Sequence, residues 1–465
     1  MTVDSETVDS KAPSITIVGA GLGGSLMAVY LGLRGYRVSV YERREDLRKD
    51  TDDSSGRSIN LGLSARGIRA LDKVGLLETL WQHTVPMRGR VIHRPGAEPA
   101  FQAYGTEDSH ILHSILRGDL NSTLIDRAES MPNVTFHFRS RLTRLDKDKA
   151  VAYVTDEATG QESEVAADAV IGADGVYSTV RAQLHRGERA DLQQEFMEWG
   201  YKELTIPAAP DGSPQVEIEA LHIWPGGAGL IVAHPNRDNS LTGTLFLPFE
   251  GEESFATLTT PDAILGFFRK HFPDAEALIP DLLKEFDANP AGTLVCIRTS
   301  PWQHDGRVVL IGDAAHAVYP FYGQGMNASF EDCLELDACI GRHPGDLDAA
   351  FKDFEDTRKQ HTDVLNELSK QNFVELRDRL ASPWHVALKK ADLALSKAFP
   401  KAWMPLYTMV SHTTMPYGDA LDRAGRQDRA LKWLAATAAT GAALSLFRLT
   451  RRAARRAHRT TMDVR

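Results

Sequence analysis

Cysteine is scarce. Cys296, Cys333 and Cys339 are the only three in 465 residues. None forms a C-x-x-C pair and none has a histidine nearby at metal-ligand spacing, so a disulfide framework is excluded, a reducing compartment is expected and no metal site is predicted. Cys333 and Cys339 fall in an apolar, helix-patterned stretch and are expected to be small buried residues. Positive charge is also short: the net charge is −10, which argues against nucleic acid as a partner. Residues 1–13 (MTVDSETVDSKAP) hold neither an apolar core nor an Arg-rich amphipathic pattern. They predict a disordered start and no targeting peptide, hence a cytoplasmic protein. No internal repeat is visible.

What is present is a chain too long for one hydrophobic core. Ile15 to Gly19, Leu22 to Leu33 and Tyr36 to Tyr41 read as strand, helix and strand. Arg57–Leu63 reads as a strand, Ser64–Leu77 as a helix capped by Ser64, and 119–128 as a helix. Val134–Phe138 and Val151–Thr155 alternate like a hairpin, and Ala169–Gly172 reads as a buried parallel strand. Between about 190 and 300, short alternating runs such as Ala220–Trp224, Gly229–His234 and Ser240–Leu247 are separated by Pro, Gly and Asn. Val308–Gly312 then reads as a core strand again. The expectation is an α/β protein, α+β overall. A first domain at 14–190 and 300–345 is interrupted by a sheet-rich domain at 191–299. A helical region at 346–429 and a basic C-terminal helix at 430–465 follow.

Gly19-Ala-Gly-Leu-Gly-Gly24 matches G-x-G-x-x-G at Gly19, Gly21 and Gly24, between a strand and a helix. The first glycine permits the turn, the second lets backbone approach a pyrophosphate, and the third lets helix and strand pack closely. Leu22 opens the helix, whose free N–H groups and dipole favour phosphate. Glu42, at the end of the next strand, is placed to accept hydrogen bonds from ribose hydroxyls, with Arg43 beside it. This much does not separate NAD from FAD. Two later segments do. One is Asp168-Ala-Val-Ile-Gly-Ala-Asp-Gly-Val-Tyr-Ser-Thr-Val-Arg181, centred on Asp174. The other is Arg307-Val-Val-Leu-Ile-Gly-Asp-Ala-Ala-His316 with Pro320 and Gly323-Gln-Gly-Met-Asn327. A strand ending in Gly312-Asp313 can set a carboxylate on a ribityl chain. A helix starting near Gly323, Gly325, Met326 and Asn327 can aim N–H groups at flavin carbonyls.

Together these segments resemble the class A flavoprotein monooxygenases, over residues 15 to about 335. The resemblance implies a Rossmann-like FAD-binding domain with an inserted antiparallel-sheet substrate domain. It also implies one FAD, and NADPH as co-substrate binding without a Rossmann domain of its own. No second G-x-G-x-x-G occurs. Further segments resemble the kynurenine 3-monooxygenase family within that group. They are Gly56-Arg-Ser-Ile-Asn-Leu61, Met87-Arg-Gly-Arg90, Tyr104-Gly105, Gly200-Tyr-Lys-Glu-Leu204, Leu221-His-Ile-Trp-Pro225, Pro320-Phe-Tyr-Gly-Gln-Gly-Met-Asn327, Asn372-Phe-Val-Glu-Leu-Arg377 and Pro405-Leu-Tyr407.

This second resemblance implies the partners L-kynurenine, O2 and NADPH, and the product 3-hydroxy-L-kynurenine, in tryptophan degradation and de novo NAD biosynthesis. It implies that Arg90 clamps the substrate carboxylate and that Tyr104, Asn372 and Tyr407 complete the polar end. Leu221, Leu230, Val232 and Phe246 would wall the aniline ring, Phe321 and Tyr322 would form the rim, and Arg117 would sit by the FAD. It implies oxygen transfer from a C4a-hydroperoxyflavin to the carbon ortho to the aniline nitrogen. An aniline is electron-rich when neutral, so no acid/base residue is expected. Two positions depart from the family pattern. Tyr322 stands where bulky rings vary. His234 stands where an aliphatic residue is expected, and a lone histidine there reads as a satisfied core group. A hydroxylase of another aromatic acid, and a non-enzymatic membrane-associated flavin-binding protein, are the alternatives.

The C-terminus carries a second theme. Trp433–Phe447 is uncharged for 15 residues, shorter than a membrane-spanning helix. Arg448, Arg451, Arg452, Arg455, Arg456 and Arg459 follow at helical spacing. On a helix they form one cationic stripe suited to anionic headgroups, so peripheral membrane contact is an expectation.

Overall fold

The computed structural model describes residues 12–49, 60–105, 110–379, 392–400, 402–431 and 433. The Arg stripe of the tail, residues 1–11 of the start, and Gly56 to Ile59 lie outside the described residues.

The first sheet has the spatial order Gln303–His304, Val308–Leu310, Ala169–Gly172, Ser14–Val18, Arg37–Tyr41, Val134–His137. Neighbours are parallel except at the Gln303–His304 edge. Parallel strands are covered on both faces, which is why Ile15, Ile17, Val18, Ala169, Val170 and Ile171 are all buried. Helix Leu22–Leu33 buries nearly its whole length, and Gly325–Arg342 lies beside it, with the Cys333 thiol donating to Gly23 O at 3.2 Å. All three cysteines are buried and free. Gly24 packs so tightly that a Cβ there would stand 2.0 Å from Gly19 O, and Gly19 itself has φ +101°.

The second sheet has seven strands: Gly292–Ser300, Asp191–Ile206, Leu241–Pro248, Leu230–Pro235, Ala220–Pro225, Gly89–Ile92, Ala100–Ala103. Its last two strands come from outside the 191–299 stretch that the sequence pattern marks. Residues alternate between its faces. Leu204, Trp224, Ile231, Ala233, Leu245 and Leu247 pack against Phe267, Phe268 and Phe272 of the covering helices. Ile223, Leu230 and Phe246, with Leu221 and Val232, pack on the other face with Phe321 and Phe373. That second face borders a cavity that residues just beyond the strands of the first sheet also line.

Two local expectations are corrected. Val134–His137 does not form a hairpin with 151–155; it joins the parallel sheet beside Arg37–Tyr41. Val151–Asp156 pairs instead with Ser140–Asp146 and Glu162–Ala166. Alternation over four residues reports one buried face, not a partner. The 64–77 helix breaks into Ala65–Lys73 and Leu77–Trp81, with Gly75 at φ +71° between them. Ser64 gives no side-chain cap; its hydroxyl points to Gln324 Oε1 at 3.4 Å.

Helix Leu347–Val374 runs into a π-helical turn at Glu375–Arg379. Asn372 and Leu376, on either side of the start of that turn, line the cavity between the two sheets. Helix Leu406–His412 closes the same side. Among the described residues no helix is long and apolar enough to cross a membrane.

Candidate active site

A cavity of about 640 Å³ runs between the two sheets, from the glycine turn at Gly21 to Tyr407. This size suits a small-molecule site.

At one end, helix Leu22–Leu33 has glycine as its N-cap, no capping side chain and no acid in its first turn. Its leading N–H groups are therefore available to a ligand, and a Cβ on Gly21 would meet nothing within 4 Å. Glu42 accepts from Ala20 N at 3.0 Å and from Arg44 N and Nε at 2.9 Å each. Burial alone raises its pKa, but these bonds and the Arg44 charge outweigh that and hold the carboxyl below its usual range. The charge that would receive a ribose thus also fixes the glycine turn.

Further along, Gly312 and Asp313 open onto the cavity together with Arg117, Gly325 and Met326. Asp313 is exposed to the cavity while protein surrounds it on other sides, and burial raises its pKa. The backbone N–H of Gly312 is held by Asp332 Oδ2 at 2.9 Å. Asp332 also binds His316 and the Arg358 guanidinium, and Arg358 and Arg66 both donate to Glu331. Arg66 continues to the carbonyls of Val410 and Met415. One buried ionic chain therefore joins the Gly312 turn to the helix that carries Tyr407.

A flavin dinucleotide fits these residues on two counts: the cradle at Gly21, and an orphaned buried polar atom, Asn60 Oδ1, on the cavity wall.

At the far end, Arg90 lies 5.6 Å from the Tyr407 ring centroid, and no carboxylate of the described residues pairs with it. Tyr407 stacks with Tyr104 and with Tyr322, at 5.6 Å in each case. Burial raises all three phenol pKa values, so each remains a neutral donor. Asn372 Nδ2 donates to Phe321 O at 2.6 Å and fixes the Pro320–Tyr322 turn.

The residues singled out in the sequence divide as follows. Arg90, Leu221, Val232, Phe246, Phe321, Tyr322, Asn372 and Tyr407 line the cavity, as do Gly21, Leu22, Arg117, Gly312, Asp313, Gly325 and Met326. Tyr104 and Leu230 stand behind the wall, against Tyr407 and Phe246 respectively. Gly19, Gly24 and Glu42 shape the turn without lining the cavity, and Arg43 is exposed. The Asp174 carboxylate is occupied by Ser178 Oγ and the N–H groups of Thr179 and Val180, at the head of helix Thr179–Leu184. Asn327 is a clamp: it accepts from Ser64 N and donates to Gly62 O and Gly323 O, each at 2.9 Å.

His234 overturns its expectation. It lines the cavity, and among the described residues no hydrogen bond reaches either ring nitrogen. It is therefore not a satisfied core group. Sequence reasoning also missed Asn60, Tyr201 and Thr244 on the wall. The first two lie inside the Gly56–Leu61 and Gly200–Leu204 segments; Thr244 gave no signal, since a threonine in a strand is ordinary.

An FAD binding domain family model matches residues 12–342. Kynurenine 3-monooxygenase of Salinispora arenicola (strain CNS-205) is 55% identical over 456 residues, covering 97% of this chain and 100% of that protein. The protein of the same name from Dictyostelium discoideum is 38% identical, covering 87% of this chain and 89% of its own length. Among solved structures, 2-methyl-3-hydroxypyridine-5-carboxylic acid oxygenase superposes with a TM-score of 0.65 at 20% identity, covering 81% of this chain and 96% of that one. PqsL of P. aeruginosa superposes with the same score and identity, covering 80% and 98%. The last two show a shared fold. The sequence relatives show more: this chain belongs to the kynurenine 3-monooxygenase family of FAD-dependent enzymes.

Proposed function

We infer that the chain hydroxylates L-kynurenine to 3-hydroxy-L-kynurenine, consuming O2 and NADPH, with the cavity between the sheets as the site. The observation that carries the substrate assignment is Arg90: a guanidinium on a largely apolar cavity wall with no carboxylate partner among the described residues. Arg90 is half-buried, and a guanidinium partly withdrawn from water with no anion beside it is a ready partner for a bound carboxylate.

When bound, FAD reduced by NADPH supplies the oxygen-transfer chemistry. Gly21 and the head of its helix would hold the pyrophosphate, Glu42 the ribose, and Asp313 the ribityl chain. Arg117, Gly325 and Met326, which line the cavity, would border the ring system. Arg90 grips the substrate carboxylate while the Tyr407 face supports the guanidinium. Leu221, Val232, Phe246 and Phe321 hold the aromatic ring and exclude water. Positioning is the main contribution of these side chains. No base is assigned, because a neutral aniline is already nucleophilic at the ortho carbon.

The test is kynurenine-stimulated NADPH oxidation with product mass. Arg90→Ala should raise KM ~10- to 100-fold, the range of a charge-assisted hydrogen bond. Unchanged affinity would sink the assignment of Arg90. Stimulation that yields only hydrogen peroxide would sink the substrate.

The Arg stripe at 448–459 supports a second element of the reading, peripheral attachment of a cytoplasmic enzyme to anionic membrane. Removing residues 430–465 should release the protein from the membrane fraction. A full-length protein found wholly in the cytosolic fraction ends that idea.

A further inference from the structure

The sheet wall that faces the cavity is apolar in strand Leu230–Pro235 until its last inward position. Leu230, Val232 and His234 share one face, and the third is an imidazole. The neighbouring register sets Ile223 opposite Val232. Continuing it by one residue sets Leu221 beside His234, and Leu221 pairs with Arg90 on the next strand. His234 and Arg90 therefore occupy one transverse row of the sheet, two strands apart. That separation is about 10 Å between backbones, from the usual strand spacing. Both side chains line the cavity.

A kynurenine whose carboxylate meets Arg90 extends its ketone and aromatic ring along this row. The ring carries one amine, ortho to the ketone. One of its N–H bonds turns inward to the ketone oxygen and the other points outward. We propose that His234 accepts a hydrogen bond from the ring amine of the substrate, and so makes the site selective for an ortho-amino aryl ketone. This rests on the substrate reading above.

Three observations support it. Both ring nitrogens lack partners among the described residues, so the imidazole has acceptor capacity to give. Burial depresses its pKa to about 4, so at neutral pH the ring is uncharged and keeps one accepting nitrogen. On the other neighbouring strand His234 stands opposite Thr242, with Thr244 next on that face; both carry a hydroxyl and no charge. An acceptor on the amine N–H also pushes lone-pair density into the ring and enriches the ortho carbon that is hydroxylated. No proton is transferred in this arrangement. His234 is a specificity residue that assists by polarisation.

The experiment compares two ligands on FAD-loaded enzyme by calorimetric titration. One is L-kynurenine and the other is the same amino acid with an unsubstituted benzoyl group. The wild type should bind kynurenine ~10-fold more tightly, the scale of one unsatisfied buried polar group. His234→Leu should bind the two ligands equally, with the benzoyl ligand no weaker than in wild type. His234→Gln retains an acceptor and should restore part of the preference; it also serves if the leucine variant loses FAD. A preference unchanged in both variants, or absent in wild type, overturns the role of His234 alone. A wild type that binds neither ligand overturns the substrate reading, and this inference with it.

Discussion

Arg90 and Tyr407 come from residues more than three hundred positions apart, and they meet at 5.6 Å. The fork of the guanidinium matters as much as its charge. Lysine keeps the charge but cannot pair two carboxylate oxygens or lie flat on a ring. Arg90→Lys should therefore raise KM about 10-fold with kcat nearly unchanged, on the scale of one lost hydrogen bond. Steady-state kinetics with NADPH saturating checks this. The sequence made Arg90 legible because it sits in the Met87–Arg90 segment with Gly89, where a Cβ would stand 2.4 Å from Gln102 O. It made Asp174 misleading. An aspartate after a Gly-Ala strand end looks like a ligand, and only three dimensions show its oxygens occupied by the next helix. Hydrogen-bond satisfaction is not written in spacing, and His234 failed as an expectation for the same reason.

At the scale of elements, the helix Gly325–Arg342 is the hub. Asn327 ties it to the strand Asn60–Leu63, Asp332 holds the Gly312 turn, and Glu331 receives Arg66 and Arg358. The Asp332 carboxyl is pushed up by burial but brought below its normal range by His316 and Arg358. Removing one member of such a buried set strands the others without countercharge. Glu331→Leu should destabilise the fold by about 3–5 kcal/mol in urea unfolding, the usual cost of breaking a buried pair. Arg66 reaches the Val410 and Met415 carbonyls, so the same variant should also weaken kynurenine binding through the displaced Tyr407 helix. The parallel strands and the opening βαβ unit were legible because short β-branched runs bounded by glycine turns are local signals. The place of Val134–His137 in the parallel sheet was not, because strand partners are chosen by tertiary burial. The strands Gly89–Ile92 and Ala100–Ala103 were hidden for the same reason: their pairing with Ala220–Pro225 and with each other is set by tertiary packing.

At the scale of the molecule, acid should be unusually damaging. Burial holds His113, His222 and His234 near about 4, and His412 at about 3. In the unfolded chain each titrates near the ordinary value of about 6.5. Below that pH the unfolded state binds protons that the native state refuses, so stability falls as pH drops from about 6.5 toward 4. Asp332 extends the decline: its stabilisation is present above the ordinary carboxylate range and is lost as pH falls through its lowered pKa. The urea midpoint should be lower at pH 5 than at pH 7. His222→Gln should flatten that slope in part. A midpoint independent of pH over this range would contradict the histidine assignment.

The second sheet borrows its last two strands from residues 89–103, and this has a consequence for how such a protein changes its diet. A graft of 191–299 into another flavoprotein would carry the wall of Leu221, Val232, His234 and Phe246 but leave Arg90 behind. On the binding mode proposed above, the two ends of the substrate are held by separate stretches of chain. One stretch can drift toward a new ring while the other goes on holding the same amino acid.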